Sequence, residues 1–191
     1  MCFLRPRDFT NDEVQLLKRS GLSSIEWGTD CSTDVTLKGM RKDFNWEQVV
    51  SANNIFAEAG ISSGHFIIFG GPDETHETVS AGLKNIEALK NCVVFGSIGI
   101  RVFPDTPIYQ RALQENVISE NDDLIEPTFY FSDQIEIDKL HEQIIDGFKG
   151  RIDRIYPDGQ FVEKTKALHM FGHRGPAWDL LLKKPARRRR N

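Results

Sequence analysis

Two kinds of apolar pattern alternate along the first 115 residues: helical periodicity and short unbroken runs. Thr10-Asn11-Asp12-Glu13 has capping-box spacing, with the Thr10 hydroxyl accepting an early backbone N–H while Glu13 reaches back. The helix it opens runs to about Ser20, with Val14, Leu16 and Leu17 as its stripe, and Gly21 ends it. Ser24–Gly28 then reads as a short strand. A second helix is predicted from about Asn45 to Ala59, burying Trp46, Val49, Val50, Ile55 and Phe56 and stopping at Gly60. His65–Phe69 is the clearest strand, closed by Gly70-Gly71-Pro72. A third helix covers roughly Glu74 to Lys90, with Val79, Leu83, Ile86 and Leu89 at helical spacing. A strand at about Val93 to Phe103 and a helix from Pro107 to about Glu115 follow, and Cys2-Phe3-Leu4 is a candidate fourth strand.

Strands separated by single helices mean βαβ units and a parallel sheet with right-handed crossovers. The class is therefore α/β. The two later strands are short apolar runs, as strands covered on both faces should be. The strands are too few for a full (βα) barrel of about eight strands and ~250 residues, so the pattern reads as a partial TIM-type barrel, one part of a larger domain. From Asn116 the rhythm breaks. An acidic loop over 117–132 ends in Thr128-Phe129-Tyr130-Phe131, a helix is expected over Asp133–Phe148, and the chain is irregular beyond Gly150. The predicted division is a partial barrel at 1–116, a helical and irregular extension at 117–182, and a basic, disordered tail at 183–191.

The 191 residues are 39% apolar and 27% charged, the balance of a globular chain rather than an unstructured one. No uninterrupted apolar stretch exceeds the four residues of Phe66–Phe69, against the ~20 a membrane span needs. The charged first ten residues do not resemble a secretory signal, which points to the cytoplasm. Net charge is −4, yet Lys183, Lys184 and Arg187–Arg190 crowd the end, so the body before them is more acidic still. An acidic body argues against nucleic acid as a partner. Cys2, Cys31 and Cys92 lie too far apart for a disulfide framework or a metal knuckle. His169 and His173 have i, i+4 spacing, but Gly172 interrupts them and no Cys or acid is near, so no metal site is assigned.

In parallel α/β folds, chemistry gathers where strands end and the following turns begin. Three turns stand out. In Gly28-Thr29-Asp30-Cys31-Ser32-Thr33-Asp34 an acid can accept two ribose hydroxyls or pair with an amine; equally, Asp30 and Asp34 can cap the next turn. In Gly70-Gly71-Pro72-Asp73-Glu74-Thr75 the paired glycines let backbone approach a ligand at a helix N-terminus, though an ordinary βα turn has the same look and no P-loop lysine follows. In Gly99–Pro107, Arg101 within a buried strand needs an anionic partner, Glu26 or Asp30 in an internal ion pair or equally a ligand.

Taken in order, these turns resemble the C-terminal part of a radical S-adenosylmethionine (SAM) enzyme core, about strands three to six. Gly28–Asp34 followed by Leu37-Lys38-Gly39-Met40 is similar to that superfamily's fourth-strand pattern. Phe66–Phe69 leading into Gly70–Thr75 resembles its fifth strand and Pro-Gly-Glu-Thr turn, and Arg101–Tyr109 its sixth strand and Pro-Gly-Thr-Pro turn. Cys2–Arg7, Asp123–Ser132 and Gly175–Leu181 extend the likeness to the subgroup carrying a cobalamin-binding domain. The resemblance implies that Asp30 contacts the ribose or amino group of SAM and that Phe69 packs on adenine. It also places Cys31, Gly70, Gly71, Glu74 and Arg101 around the cofactor. Cys31 stands where Ser is usual, and Asp73 and Asp105 where Gly is common; Asp tolerates the left-handed conformation such turns need.

The three thiolates of a C-x-x-x-C-x-x-C motif, which would hold a 4Fe–4S cluster, are not among these residues. The resemblance therefore implies a fragment in which SAM binding is weak or lost, with the cluster and cobalamin belonging to the parent enzyme. That enzyme would perform radical methyl transfer or rearrangement on a small or lipid-like substrate, and this chain's partner would be the missing N-terminal half. An open half-barrel would leave apolar faces near Phe3 and Ile25 uncovered. The alternatives are a non-catalytic SAM-like binding module or half of a split enzyme, and an unrelated βα-barrel enzyme.

Overall fold

The computed structural model describes residues 1–157, 165–166, 169–172 and 178–182. Its centre is a five-stranded, wholly parallel sheet in the order β1, β2, β3, β4, β7. These strands are β1 (Cys2–Leu4), β2 (Ser24–Asp30), β3 (Ser62–Phe69), β4 (Cys92–Ile98) and β7 (Arg154–Ile155). Between them run α1 (Asn11–Arg19), α2 (Asp34–Gly39), α3 (Trp46–Glu58) and α4 (His76–Asn85). After β4 come β5 (Ile100–Arg101), α5 (Pro107–Gln114), β6 (Phe129–Tyr130) and α6 (Ile137–Phe148). The α/β class and the partial barrel of parallel strands are as the apolar pattern predicts. The basic tail, His173 and Gly175–Ala177 lie outside the described residues.

Local chemistry sets the helix starts. Thr10 and Glu13 form the expected capping box, and Asn45 with Gln48 and Thr75 with Thr78 form two more. The third helix is shorter than its periodicity suggests: α4 ends at Asn85 and a 3-10 turn, Ile86–Ala88, carries the stripe onward.

Period-two alternation gives the sheet two unlike faces. On the helix side, Ile25 and Trp27 meet Phe56 and Val14, while Ile67, Phe69 and Val94 meet Leu140, Ile144 and Phe148. The opposite, inner face carries Gly64, Phe66 and Phe95, with the Phe66 and Phe95 rings stacked 4.8 Å apart. Trp178, in a short helix at Trp178–Leu182, covers its lower part, packing on Val93 and Phe95 and donating its indole N–H to Ser24 Oγ at 2.9 Å. The expectation that Ile25 borders an open face is wrong, because its side of the strand lies under α1 and α3 and it is fully buried; Phe3 is 76% exposed as expected.

The predicted strand at Val93–Phe103 is two elements. Gly99, at φ +70, turns the chain after Ile98, and β5 then pairs antiparallel with β6 instead of continuing the sheet. The fifth parallel strand, β7, comes from the extension, two residues that hydrogen-bond alongside β4.

Candidate functional site

The C-terminal ends of β2, β3 and β4 bring the three turns to one mouth. At the first, pairing registers Trp27 with His65 but Asp30 with Ile67, so β2 carries one extra residue before Asp30. Asp30 adopts φ +61 and forms an ion pair with Lys42 from the loop after α2. Cys31 turns inward and is buried; burial and the Glu74 charge push its thiol up to about 12, so it is protonated and unreactive. Thr33 caps α2 and Asn45 caps α3, so neither Asp30 nor Asp34 is the cap; Asp34 accepts from the Trp46 N–H at the start of α3.

At the second turn the Glu74 carboxylate accepts from Gly70 N at 2.5 Å and Gly71 N at 3.3 Å. The two N–H groups that a ligand could have used are thus committed internally. Burial pushes the Glu74 carboxyl up to about 7, opposed by those same donors. Asp73 and Asp105 both adopt the left-handed conformation that Gly would otherwise supply, at φ +62 and +60. Phe69 faces the helices and is fully buried among the side chains of α4 and α6, so its ring is not presented at the mouth.

Arg101 corrects an expectation. It is exposed rather than buried, lies 4.8 Å over the Phe103 ring, and does not pair with Glu26 or Asp30. The cause is the turn at Gly99, which carries β5 off the sheet, and Asp30 already has Lys42. The aromatic triplet also divides: Tyr130 is buried and Phe129 half-exposed, while Phe131 wedges against Gly70 and Gly99.

A cleft of about 550 Å³ opens at this mouth beside Gly71, walled by Met40, Pro72, Ile100 and Ile108 and rimmed by Arg41 and Arg111. Its volume falls within the range of small-molecule pockets, with apolar walls and a few polar groups at the rim. Arg111 is anchored to Asp73 at 2.8 Å and to Glu115 at 2.7 Å, and Tyr130 donates to the same Glu115 at 2.7 Å, which stiffens the far wall. Met40 and Ile100 lie within the patterns read from the sequence, whereas Lys42 and Arg111 were not singled out. Lys42 reaches the mouth from the loop after α2 and Arg111 from α5, where no periodicity marks them.

No family model and no curated protein matches the sequence. Solved structures do. The radical SAM methyltransferase TsrM from Kitasatospora setae, with cobalamin and a 4Fe–4S cluster bound, superposes with a TM-score of 0.76 at 20% identity. That match covers 94% of this chain and 42% of TsrM. The chain shares the fold of part of that structure, a partial barrel of parallel strands. A second TsrM structure, with tryptophan substrate and a SAM analogue bound, gives 0.66 at 21% identity over 82% of this chain and 38% of that one. Elp3 from the archaeon Methanocaldococcus infernus gives 0.58 at 15% over 91% and 42%. The chain thus spans about two-fifths of the length of these three structures.

The cysteines do not suit a radical SAM cluster. Cys2 and Cys92 start their strands at the bottom of the sheet, whereas Cys31 follows the top of β2. Cys31 and Cys92 are buried, and burial pushes the Cys92 thiol, like that of Cys31, up to about 12. Among the described residues no three His, Cys, Asp or Glu side chains converge as a metal site. No described helix is long and apolar enough to cross a membrane.

Proposed function

We propose that this chain is part of the core barrel of a radical SAM enzyme and that its mouth holds the adenosine portion of SAM. The observation that carries the reading is the convergence of Gly28–Asp34, Phe69–Thr75 and Arg101–Pro107 at one end of one parallel sheet with the TsrM-like fold. Asp30 is the ribose-side contact, with Gly70, Gly71 and Glu74 shaping the turn beside the cleft. Lys42 pairs with the Asp30 carboxylate at the rim of the mouth. Cluster thiolates come from polypeptide outside these residues, and the N-terminal half of the barrel is the natural partner. The whole protein belongs to the cobalamin-dependent group, works in the cytoplasm, and carries out radical methyl transfer or rearrangement on a small or lipid-like substrate. The division at residue 116 into barrel and extension, with the tail after 182, belongs to the same proposal.

The test is saturation-transfer NMR with SAM. Binding through adenosine alone should be weak, with a dissociation constant of roughly 1 mM, about −4 kcal/mol. Transfer to the adenine and ribose protons is expected in wild type and lost in Asp30→Ala. No transfer, or transfer indifferent to Asp30→Ala, overturns the reading.

A further inference from the structure

Four buried polar side chains, none of which the site above uses, meet beneath the Asp30 turn. Asn53 of α3 donates through Nδ2 to the Lys90 carbonyl at 3.0 Å and to Asn54 Oδ1 at 2.9 Å. Its Oδ1 therefore faces the other way, where it accepts from Ser63 Oγ at 2.7 Å and meets His65 Nε2 at 3.0 Å. An amide oxygen only accepts, so Nε2 carries the imidazole hydrogen and Nδ1 is left as the acceptor. Its partner at 2.9 Å is the Thr29 hydroxyl, which donates. All four groups are essentially inaccessible, and burial together with the Arg154 charge lowers the His65 pKa to about 3, so the ring stays neutral.

Thr29 is held a second time. Its carbonyl accepts from the Cys31 N–H at 2.8 Å, closing a three-residue turn with Asp30 at the centre. A turn of this kind with positive φ is rare and strained, and it persists only where the surroundings fix it. The extra residue of β2 lies at Gly28 and Thr29, opposite the His65–Ile67 stretch of β3. The side chain that fixes Thr29 is therefore on the neighbouring strand.

We propose that His65 is a positioning residue: through its fixed tautomer it anchors Thr29, and Thr29 holds Asp30 in the left-handed turn that presents its carboxylate to a ribose. The ribose role rests on the reading given under Proposed function; the anchoring of the turn does not.

Removing the imidazole itself would hollow the core, so the test is made at Thr29. Thr29→Val deletes the hydroxyl at nearly constant shape, and Thr29→Ser keeps it. The ligand-free readout is hydrogen exchange at the Cys31 amide, which closes the turn. Thr29→Val should speed it by about tenfold, the worth of one lost hydrogen bond, and Thr29→Ser should leave it near wild type. The ligand readout compares adenosine with adenine by NMR titration. Thr29→Val should weaken adenosine by about fivefold and leave adenine unchanged, since adenine lacks the hydroxyls that meet Asp30. Unchanged Cys31 exchange in Thr29→Val overturns the anchoring. Equal losses for adenosine and adenine mean a general structural lesion and overturn the positioning role. If wild-type protein binds neither compound, the SAM reading fails and the ribose role with it, while Cys31 exchange still decides the anchoring.

Discussion

The two faces of the sheet are made of the same kinds of residue and meet different fates. On the helix side, Ile25, Ile67, Phe69 and Val94 are all fully buried; on the inner side, Phe66 is 38% exposed and Phe3 76%. Apolar character alone does not separate them. What differs is cover: α1, α3, α4 and α6 close one face, while among the described residues Trp178 and its short helix close the lower part of the other. Strands apolar on both sides belong to architectures that bury both sides, and in this chain the inner face is the side a closed barrel would enclose.

Substitution of matched aromatics should break or sharpen that contrast. Phe69→Ala, on the covered face, is expected to cost about 3–5 kcal/mol in urea unfolding, against about 1 kcal/mol for Phe66→Ala. Equal losses would show that the inner face is as well packed as the outer. Glu74, beneath the mouth, comes next. Its carboxyl titrates near 7 when folded against 4.5 in a free chain, so between these values the unfolded state ionises first. Stability from this group is present below pH 4.5 and falls by about 3 kcal/mol as pH rises through 7. His65 acts in the opposite sense, losing stability as pH falls from 6.5 toward 3, so the measurement is a difference. Glu74→Gln minus wild type, in thermal melts at about pH 5 and about pH 8, should become more favourable at the higher pH. A pH-independent difference would mean that the buried carboxyl does not titrate there. The smallest effect is expected for Phe3→Ser, within about 0.5 kcal/mol of wild-type stability. The same change should reduce self-association in analytical ultracentrifugation, and a wild-type chain already monodisperse as a monomer would show that its inner face seeks no partner.

Much of the architecture was legible because it rests on local rules. The Thr10 capping box, the stop at Gly21 and the αL-tolerant Asp73 and Asp105 follow from side-chain chemistry within four residues. Which way Phe69 points was not legible, since His65–Phe69 is apolar on both alternating faces and only the packed helices choose between them. Arg101 misled for a related reason: the predominantly apolar stretch Val93–Phe103 was read as one strand across Gly99, and the antiparallel partner of β5 lies 28 residues downstream at Phe129. Lys42 and the His65–Thr29 pair join residues far apart in sequence, and no spacing rule announces such contacts.

The wedge formed by Phe131 links two turns that the chain order keeps apart. A Cβ at Gly99 would lie 2.5 Å from the Phe131 ring, and one at Gly70 2.9 Å from the same ring. Ser132 N also donates to the Gly70 carbonyl at 2.9 Å, and Gly99 N to that of Phe69 at 2.8 Å. The β3 and β4 turns therefore share one mechanical pivot, and it belongs to the extension rather than to the barrel strands. A ligand that displaces the Gly70–Gly71 backbone pushes on Phe131 and, through it, on Gly99. Phe131 thus ties the Gly70 turn to the start of β5 and to the segment that leads into α6.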